Sequence, residues 1–154
     1  MKIRRACLED VPGLVSLWVE FMDYHSALDS DFVRTLDSVE KWTSYISTQI
    51  AENAVRIFVA ESEAVIVGYI VAMVESYPPI ITIKNYGFIQ EIAVTEKYRR
   101  RGIAHLLFET AEEWLRSVGL QRIELKIDVA NELSRSFWKK EGFERHTETL
   151  IKKF

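Results

Sequence analysis

Residues 90–107 read QEIAVTEKYRRRGIAHLL, and the fold around them can be predicted from this stretch. Its first part, through Val94, has the alternating apolar residues of a strand, and a short charged turn follows. From Ile103 the apolar residues recur every three or four positions, which predicts a helix over residues 103–118. Gly119 lies just past the last apolar position and favours the end of that helix. The stretch therefore predicts a strand–turn–helix unit.

The start of this helix has the properties of an anion-binding site. The first N–H groups of a helix have no partner inside it, and the helix dipole places positive charge there. Arg99, Arg100 and Arg101 add three guanidinium groups, and Gly102 lets the backbone approach a ligand closely. The alternative is a corner whose arginines are simply solvated. The first interpretation predicts that a diphosphate binds here.

Two spacings resemble those of one enzyme family. Arg99-x-x-Gly102-x-Ala104 resembles the acyl-CoA signature of the GNAT superfamily of N-acetyltransferases, and it stands between a strand and an amphipathic helix. Residues 131–143, NELSRSFWKKEGF, are similar to the later motif of the same family. The two matches occur in the family's order over residues 86–143. The resemblance implies an N-acetyltransferase that uses acetyl-CoA.

Length and composition are typical of one globular domain. The chain has 154 residues, of which 48% are hydrophobic and 28% charged, so it can bury a hydrophobic core without the support of disulfides or metals. No apolar run approaches the ~20 residues of a membrane span, the N-terminus lacks the apolar block of a signal peptide, and Cys7 is the only cysteine. We therefore expect a cytoplasmic protein with a single domain over residues 1–154 and no membrane partner.

Charge is divided unequally between the two halves of the sequence. Residues 1–77 contain 12 acidic and 6 basic side chains, whereas residues 78–154 contain 11 acidic and 14 basic ones. A basic half suits a phosphorylated cofactor, and an acidic half would attract a cationic acceptor. The net charge of −3 and the lack of a basic, aromatic stripe argue against nucleic-acid binding. The spacing of His, Asp and Glu predicts no metal site.

Periodicity and turn residues predict ten elements in the order β-α-α-β-β-β-α-β-α-β. This order favours an α/β fold in which one mixed sheet is flanked by helices. The last three elements are a strand over residues 121–129, a helix over 132–140 that Asn131 caps, and a terminal strand near residues 143–151. The C-terminal segment over residues 147–154 could pair with its copy in a homodimer.

The resemblance also implies where acetyl-CoA would bind. Its pantetheine arm would lie in a V between the strands at 89–94 and 121–129, as an added strand along the backbone of the first. Its diphosphate would contact the amides that open the helix. Asn131 matches a family position that contacts pantetheine, although capping the helix is an equally good role for it. The residues assigned to the cofactor are Ile92, Ala93, Val94, Arg99, Arg100, Arg101, Gly102, Ile103, Ala104, His105, Asn131 and Trp138.

Acetyl transfer to an amine needs a group that removes a proton from that amine. A lysine-like amine has a pKa near 10.4, so its neutral form at pH 7 costs about 4–5 kcal/mol, and a general base is required. Glu91 is the first candidate, since it lies on the strand that resembles the family's active-site edge; the alternative is a solvated surface charge. Strict alternation places Glu91 opposite Gln90 and Ile92 unless a β-bulge intervenes. Asp128, which would end the facing strand, is the second candidate.

Trp138 departs from the family pattern. The later motif usually has a tyrosine here, and that tyrosine is often assigned to protonate the departing thiolate. An indole N–H cannot serve as the proton donor, so another group acts or the thiolate leaves unassisted, which a thiol pKa near 8.5 permits. We expect slower chemistry. The alternative function is a catalytically weak or inactive module that binds or senses acyl-CoA.

The resemblance places the acceptor site at the first two helices and their connection. Residues 21–32 are rich in aromatic and carboxylate side chains, which suits a small amine or a polycation, and Tyr24, His25 and Asp29 are the candidate contacts. The alternative is a capped helix end followed by a solvated loop. A small-molecule amine and an amine of a protein or peptide both remain open as acceptors.

Overall fold

All 154 residues are described by a computed structural model with five strands, four α-helices and three short 3-10 turns. The elements in chain order are β1 (Lys2–Arg5), α1 (Val11–Leu28), α2 (Ser38–Ala51), β2 (Val55–Ser62), β3 (Val65–Ser76), β4 (Asn85–Val94), α3 (Ile103–Ser117), β5 (Ile123–Leu125) and α4 (Glu132–Lys140). The 3-10 turns are Leu8–Asp10, Ser30–Phe32 and Glu96–Tyr98. The predicted α/β class, with one mixed sheet flanked by helices, is confirmed.

The five strands lie side by side in chain order, β1-β2-β3-β4-β5. Neighbours among the first four are antiparallel, whereas β5 is parallel to β4, because α3 carries the chain back across the sheet. The β2–β3 connection is a tight turn in which Glu63 and Ala64 have φ values of 51° and 62°. Two successive positive φ values match the twist of a hairpin, so this turn sets the register of the two strands.

Each face of the sheet is covered by two helices. On one face α1 and α2 contribute Trp18 and Trp42, whose stacked rings have centroids 5.0 Å apart above the buried Tyr69. On the other face α3 contributes Leu107 and Leu115, both fully buried, and α4 packs beside it. The apolar residues that recur every three or four positions in α3 thus form the stripe that packs against the sheet.

Strands β4 and β5 separate after a short parallel contact. They pair only where Gly87–Ile89 faces Ile123–Leu125, whereas β4 continues to Val94. A side chain at Gly87 would displace Leu115 of α3, because its Cβ would lie 2.7 Å from Leu115 Cδ1. The predicted V between the two strands is therefore present, although β5 is much shorter than the predicted strand at 121–129.

The predicted terminal strand near residues 143–151 is wrong. Residues 143–154 form neither helix nor strand, and Leu150, Ile151 and Phe154 are exposed. Residues 144–149 contain no apolar side chain that could be buried, and a strand without a partner leaves its backbone groups unpaired. No helix in the structure combines the length and the apolar character that crossing a membrane requires.

Candidate functional site

The start of α3 presents a row of unpaired backbone N–H groups. None of the six from Arg100 to His105 donates a hydrogen bond within the protein, and the first bond of the helix runs from Leu106 N–H to Gly102 O at 3.1 Å. Arg100 and Gly102 have φ values of 63° and 78°, a backbone geometry in which successive N–H groups can converge on an anion. The row therefore has the donors and the dipole that phosphate oxygens require.

The three neighbouring guanidinium groups do not converge on this row, and that expectation is wrong. Arg99 turns toward α1, and its Nε donates to Val94 O at 3.0 Å. Arg101 folds back and donates to Lys97 O at 3.0 Å. Arg99 thus finds its acceptors at the end of β4 and on α1, and Arg101 finds its acceptor in the turn before the helix. Arg100 is exposed and forms no hydrogen bond or ion pair, so it is the one guanidinium free to meet a phosphate.

The end of β4 directs backbone groups into the V. Thr95 N–H donates to β3 at 3.0 Å, so the alternation of an antiparallel ladder directs the backbone groups of Ala93 toward β3 as well. The N–H and C=O groups of Ile92 and Val94 then point away from β3, into the V. Of the three strand residues assigned to pantetheine, Ile92 can accept an added strand through both backbone groups, and Val94 through its N–H, since its carbonyl accepts from Arg99. Ala93 is paired with its neighbour in β3.

Asn131 lies at the start of α4 and is buried, with 4% of its surface exposed. Its Oδ1 accepts hydrogen bonds from Ser134 N–H at 3.0 Å and from the Tyr24 hydroxyl at 3.3 Å. The predicted cap is therefore formed. Its Nδ2 donates to no group of the protein, so a cap and a ligand contact are compatible in one side chain.

Trp138 lies in the core between α3 and α4, with 4% of its surface exposed. Its ring contacts three aromatic rings edge-on, with centroid distances of 5.3 Å to Phe108, 4.8 Å to Phe137 and 5.1 Å to Phe143. Burial in this cluster leaves little surface for the predicted contact with the cofactor.

A β-bulge at Gln90 determines the direction of Glu91. Between the pairs Val71–Glu91 and Ala72–Ile89 of the β3–β4 ladder, Gln90 has no partner. The extra residue interrupts the alternation of the strand, so Glu91 points to the face that α1 and α2 cover. The β-bulge that would change the alternation expected from the sequence is therefore present.

Glu91 is held by donors on the α1–α2 face of the sheet. The hydroxyl of the fully buried Tyr69 donates to its Oε2 at 2.7 Å, and Gln90 Nε2 donates to its Oε1 at 3.2 Å. Burial raises the pKa of the Glu91 carboxyl above its usual value, against the opposing effects of Tyr69, Trp42, Gln90 and His25. Trp42 Nε1 faces this carboxyl but is buried without a hydrogen-bond partner. A carboxyl with a raised pKa beside an unused donor is a candidate general base.

Asp128 lies in the turn between β5 and α4. Because β5 ends at Leu125, Asp128 does not end the facing strand, and its predicted place in that strand is wrong. Its Oδ1 accepts a hydrogen bond from Ala130 N–H at 2.7 Å, so the carboxylate stabilises this turn. Its role as the second candidate base stays a prediction.

The candidate acceptor residues lie at the end of α1. Tyr24 and His25 are partly buried, with ring centroids 5.5 Å apart. His25 Nδ1 lies 2.8 Å from Phe21 O, which can only accept, so Nδ1 carries the proton and Nε2 of the neutral ring is free to accept. Asp29 Oδ1 accepts from Asp31 N–H at 3.0 Å and thereby orders the connection to α2.

The acceptor region is less negative than its sequence suggests. Arg34 pairs with Asp23 at 2.8 Å, and Lys153 from the C-terminal segment pairs with Asp31 at 2.6 Å. The connection between α1 and α2 also exposes apolar side chains, namely Phe32, Val33 and Leu36. The connection between α1 and α2 therefore combines exposed apolar side chains with a moderate negative charge.

The sequence pattern does not single out Tyr69 and Trp42, the two residues that surround Glu91 most closely. Tyr69 and Trp42 stand at apolar positions of a strand and a helix, where burial is the expected role. Their hydroxyl and indole N–H face a carboxyl only because the bulge turns Glu91 toward them. The polar pair Gln90–Glu91 inside an otherwise apolar strand is the one signal in the sequence that could have drawn attention to this place.

Comparisons with known proteins agree on one family. The profile of the acetyltransferase (GNAT) family matches residues 16–143. An N-alpha-acetyltransferase from Sulfurisphaera tokodaii is 30% identical over 99 residues, which make up 61% of this chain and 59% of that protein. The chain thus spans less than two thirds of the length of this relative.

Solved structures share the fold. A mutant protein from Bacillus halodurans superposes with a TM-score of 0.90 at 21% identity, over all of this chain and 99% of the other. A predicted acetyltransferase from Clostridium acetobutylicum, solved with acetyl-CoA, superposes with a TM-score of 0.79 at 23% identity, over 99% of this chain and 95% of the other.

Proposed function

The chain belongs to the acetyltransferase (GNAT) family, and we propose that it transfers an acetyl group from acetyl-CoA to a primary amine while both substrates are bound. The observation that carries the proposal is the row of unpaired N–H groups at residues 100–105, next to the V between β4 and β5. The row of N–H groups suits the diphosphate of coenzyme A, and the V suits its extended pantetheine arm.

The acetyl donor would be held mainly by backbone groups. The amides of residues 100–105 would take the diphosphate, with Arg100 as an additional charge, and Ile92 and Val94 would pair with the pantetheine arm. Asn131 would add its free Nδ2 donor. Val94 N–H, directed into the V, would donate to the thioester oxygen as negative charge grows there during attack.

Glu91 would remove the proton from the acceptor amine. Its raised pKa makes it a better base than an exposed carboxylate. The unpaired Trp42 Nε1 supports transfer through a water, because a water bound to it could also donate to Glu91. An α-amine has a pKa near 7.7–8.0, so its neutral form at pH 7 costs only about 1 kcal/mol, against about 4–5 kcal/mol for lysine.

We propose two acceptor classes for this site, an amine of a protein or peptide and a small-molecule amine. The exposed Phe32, Val33 and Leu36 favour a peptide, whose side chains they could contact, and the name of the Sulfurisphaera relative agrees with it. Tyr24, His25 and Asp29 would contact either acceptor. A panel of free α-amine peptides, lysine peptides, polyamines and aminoglycosides distinguishes the classes.

The test combines calorimetry with release of free thiol from acetyl-CoA. Acetyl-CoA should bind, and at least one amine of the panel should release thiol. Glu91→Gln should lower kcat by about 100-fold to 10,000-fold with unchanged affinity for acetyl-CoA, since a general base contributes that much. Glu109→Gln, which alters an exposed carboxylate on α3 with no ion pair, is the matched control. A Glu91→Gln enzyme with full activity excludes Glu91 as the base.

A second candidate function is a weakly active or inactive module that binds or senses acyl-CoA. Trp138 favours it, because the position that carries a tyrosine in the family holds a buried indole. Binding of acetyl-CoA without thiol release from any amine would support the module, whereas turnover would exclude it.

A homodimer through the C-terminal segment stays part of the proposal. Leu150, Ile151 and Phe154 are exposed there, and β5 has a partner on one side only. Light scattering should give the mass of a dimer for the full chain and of a monomer after deletion of residues 147–154. A full chain with the mass of a monomer contradicts this assignment. The cytoplasmic location, the single domain and the lack of a nucleic-acid partner likewise stay predictions.

A further inference from the structure

Tyr24 connects the two sides of the V. The guanidinium of Arg99, which donates to Val94 O at the end of β4, lies 5.7 Å from the centroid of the Tyr24 ring. At the other end of the side chain, the Tyr24 hydroxyl donates to Asn131 Oδ1 at the start of α4. The Tyr24 side chain therefore links the Arg99 side chain, bound to the end of β4, with the start of α4.

No other phenol forms a hydrogen bond with Asn131. Trp138 stands where the family has its tyrosine, and it is buried among aromatic rings and has no acidic proton. Tyr69 and Tyr45 already donate to Glu91 and to its neighbour in the bulge. Tyr24 is thus the phenol that links the acceptor helix to Asn131.

The hydrogen bond of Tyr24 is weak enough to be exchanged. Its length of 3.3 Å exceeds the usual O–H···O distance of about 2.7–2.8 Å. Asn131 Oδ1 keeps a second bond, from Ser134 N–H at 3.0 Å, when the hydroxyl turns away. Rotation about the C–O bond alone would redirect this proton into the V.

We propose that Tyr24 protonates the sulfur of coenzyme A as the acetyl group leaves it. The proposal rests on the acetyl transfer proposed above. The C–S bond of the thioester breaks, the sulfur keeps the electron pair, and the Tyr24 O–H bond breaks as the S–H bond forms. The acceptor nitrogen, cationic once the C–N bond has formed, then releases a proton that restores Tyr24. The proton first taken by Glu91 passes to solvent, so no further reactant is needed.

The first test measures the thiol of bound coenzyme A without any turnover. In the complex with coenzyme A, ultraviolet absorbance of the thiolate reports the pKa of the thiol. Tyr24→Phe should raise this pKa by about one unit, because it removes a strong hydrogen bond to the charged sulfur. The same variant should lower kcat by about 10-fold to 100-fold. Tyr86→Phe is the control, since this tyrosine stacks on Tyr77 near the other end of β4 and its hydroxyl bonds to no protein group.

The second test separates proton donation from positioning of Asn131. A fluorinated, more acidic tyrosine at position 24 keeps the ring and the hydroxyl but changes the acidity. The alkaline limb of the kcat profile should then move to lower pH, whereas a purely positional role leaves it in place and overturns the inference.

The outcomes distinguish this inference from the proposed function. Coenzyme A that binds with the same thiol pKa in the parent protein and in Tyr24→Phe overturns the role of Tyr24 alone. No heat on titration of coenzyme A into the parent protein overturns the acetyltransferase proposal, and the role of Tyr24 with it.

Discussion

Replacing Gly102 by glutamate would place a carboxylate at the start of α3, against the row of unpaired N–H groups. Gly102 has a φ of 78°, and an added Cβ would meet no atom within 4 Å, so the protein itself offers no clash. The cost to folding is then the strain of a left-handed residue, about 1–2 kcal/mol, less about 0.4–1 kcal/mol from the stiffer unfolded chain. The variant should fold with a net loss of about 1 kcal/mol.

The cost to binding is electrostatic and should be larger. At a separation of roughly 6 Å, two unit charges repel by about 0.7 kcal/mol in water and about 3 kcal/mol at the effective dielectric constant of a protein surface. A diphosphate carries about two such charges, so the repulsion sums to about 1.5–5.5 kcal/mol. The Kd for coenzyme A should therefore rise by about 10-fold to 10,000-fold.

Gly119→Glu is the matched control for this experiment. Gly119 lies at the opposite end of the same helix, with a φ of 86° and open space around an added Cβ. Gly119→Glu should lose somewhat more thermal stability, because its carboxylate meets the negative end of the helix dipole, but only Gly102→Glu should lose affinity in calorimetry at low salt. The difference should shrink as salt is added, because exposed charges are screened. An equal Kd in the two variants would refute the assignment of the diphosphate to this corner.

Three further predictions address the rest of the site. Asn131→Asp should keep the cap of α4, and hence the melting temperature, because Asp caps a helix as well as Asn does. It should weaken the binding of coenzyme A in calorimetry, because Asp lacks the Nδ2 donor. Full affinity for coenzyme A would mean that Asn131 acts only as the cap. Trp138→Ala should lower the free energy of unfolding in urea by about 3–5 kcal/mol, as deletion of a buried ring does, and a loss below 1 kcal/mol would contradict its place in the core. Glu91→Gln should stabilise the protein at about pH 8. The pKa of Glu91 is higher in the folded state than in the unfolded state, so ionisation of Glu91 destabilises the fold as pH rises, and glutamine does not ionise. Melting curves of both proteins should therefore converge below about pH 4, where Glu91 is neutral in either state, and a difference that is independent of pH would exclude this cause.

Local sequence determined the parts of the protein that depend on neighbouring residues. The helix from Ile103 and its end before Gly119 follow from apolar spacing and one glycine, and both are present. The free amides of residues 102–105 follow as well, since the first four N–H groups of any helix have no partner inside it. The cap by Asn131 is equally local. These features could be predicted because the atoms involved are separated by only a few residues.

Tertiary structure alone decided where the reactive groups point. Glu91 faces Tyr69 because pairing with β3 leaves Gln90 unmatched, and a bulge is a property of two strands rather than of one. Arg99 leaves the row of amides because its long side chain is near acceptors at the end of β4 and on α1, and Tyr24 reaches Asn131 from more than 100 positions away in the chain. The segment after Gly142 stays irregular, because a strand needs a partner and the backbone of residues 143–154 forms no hydrogen bonds with a strand.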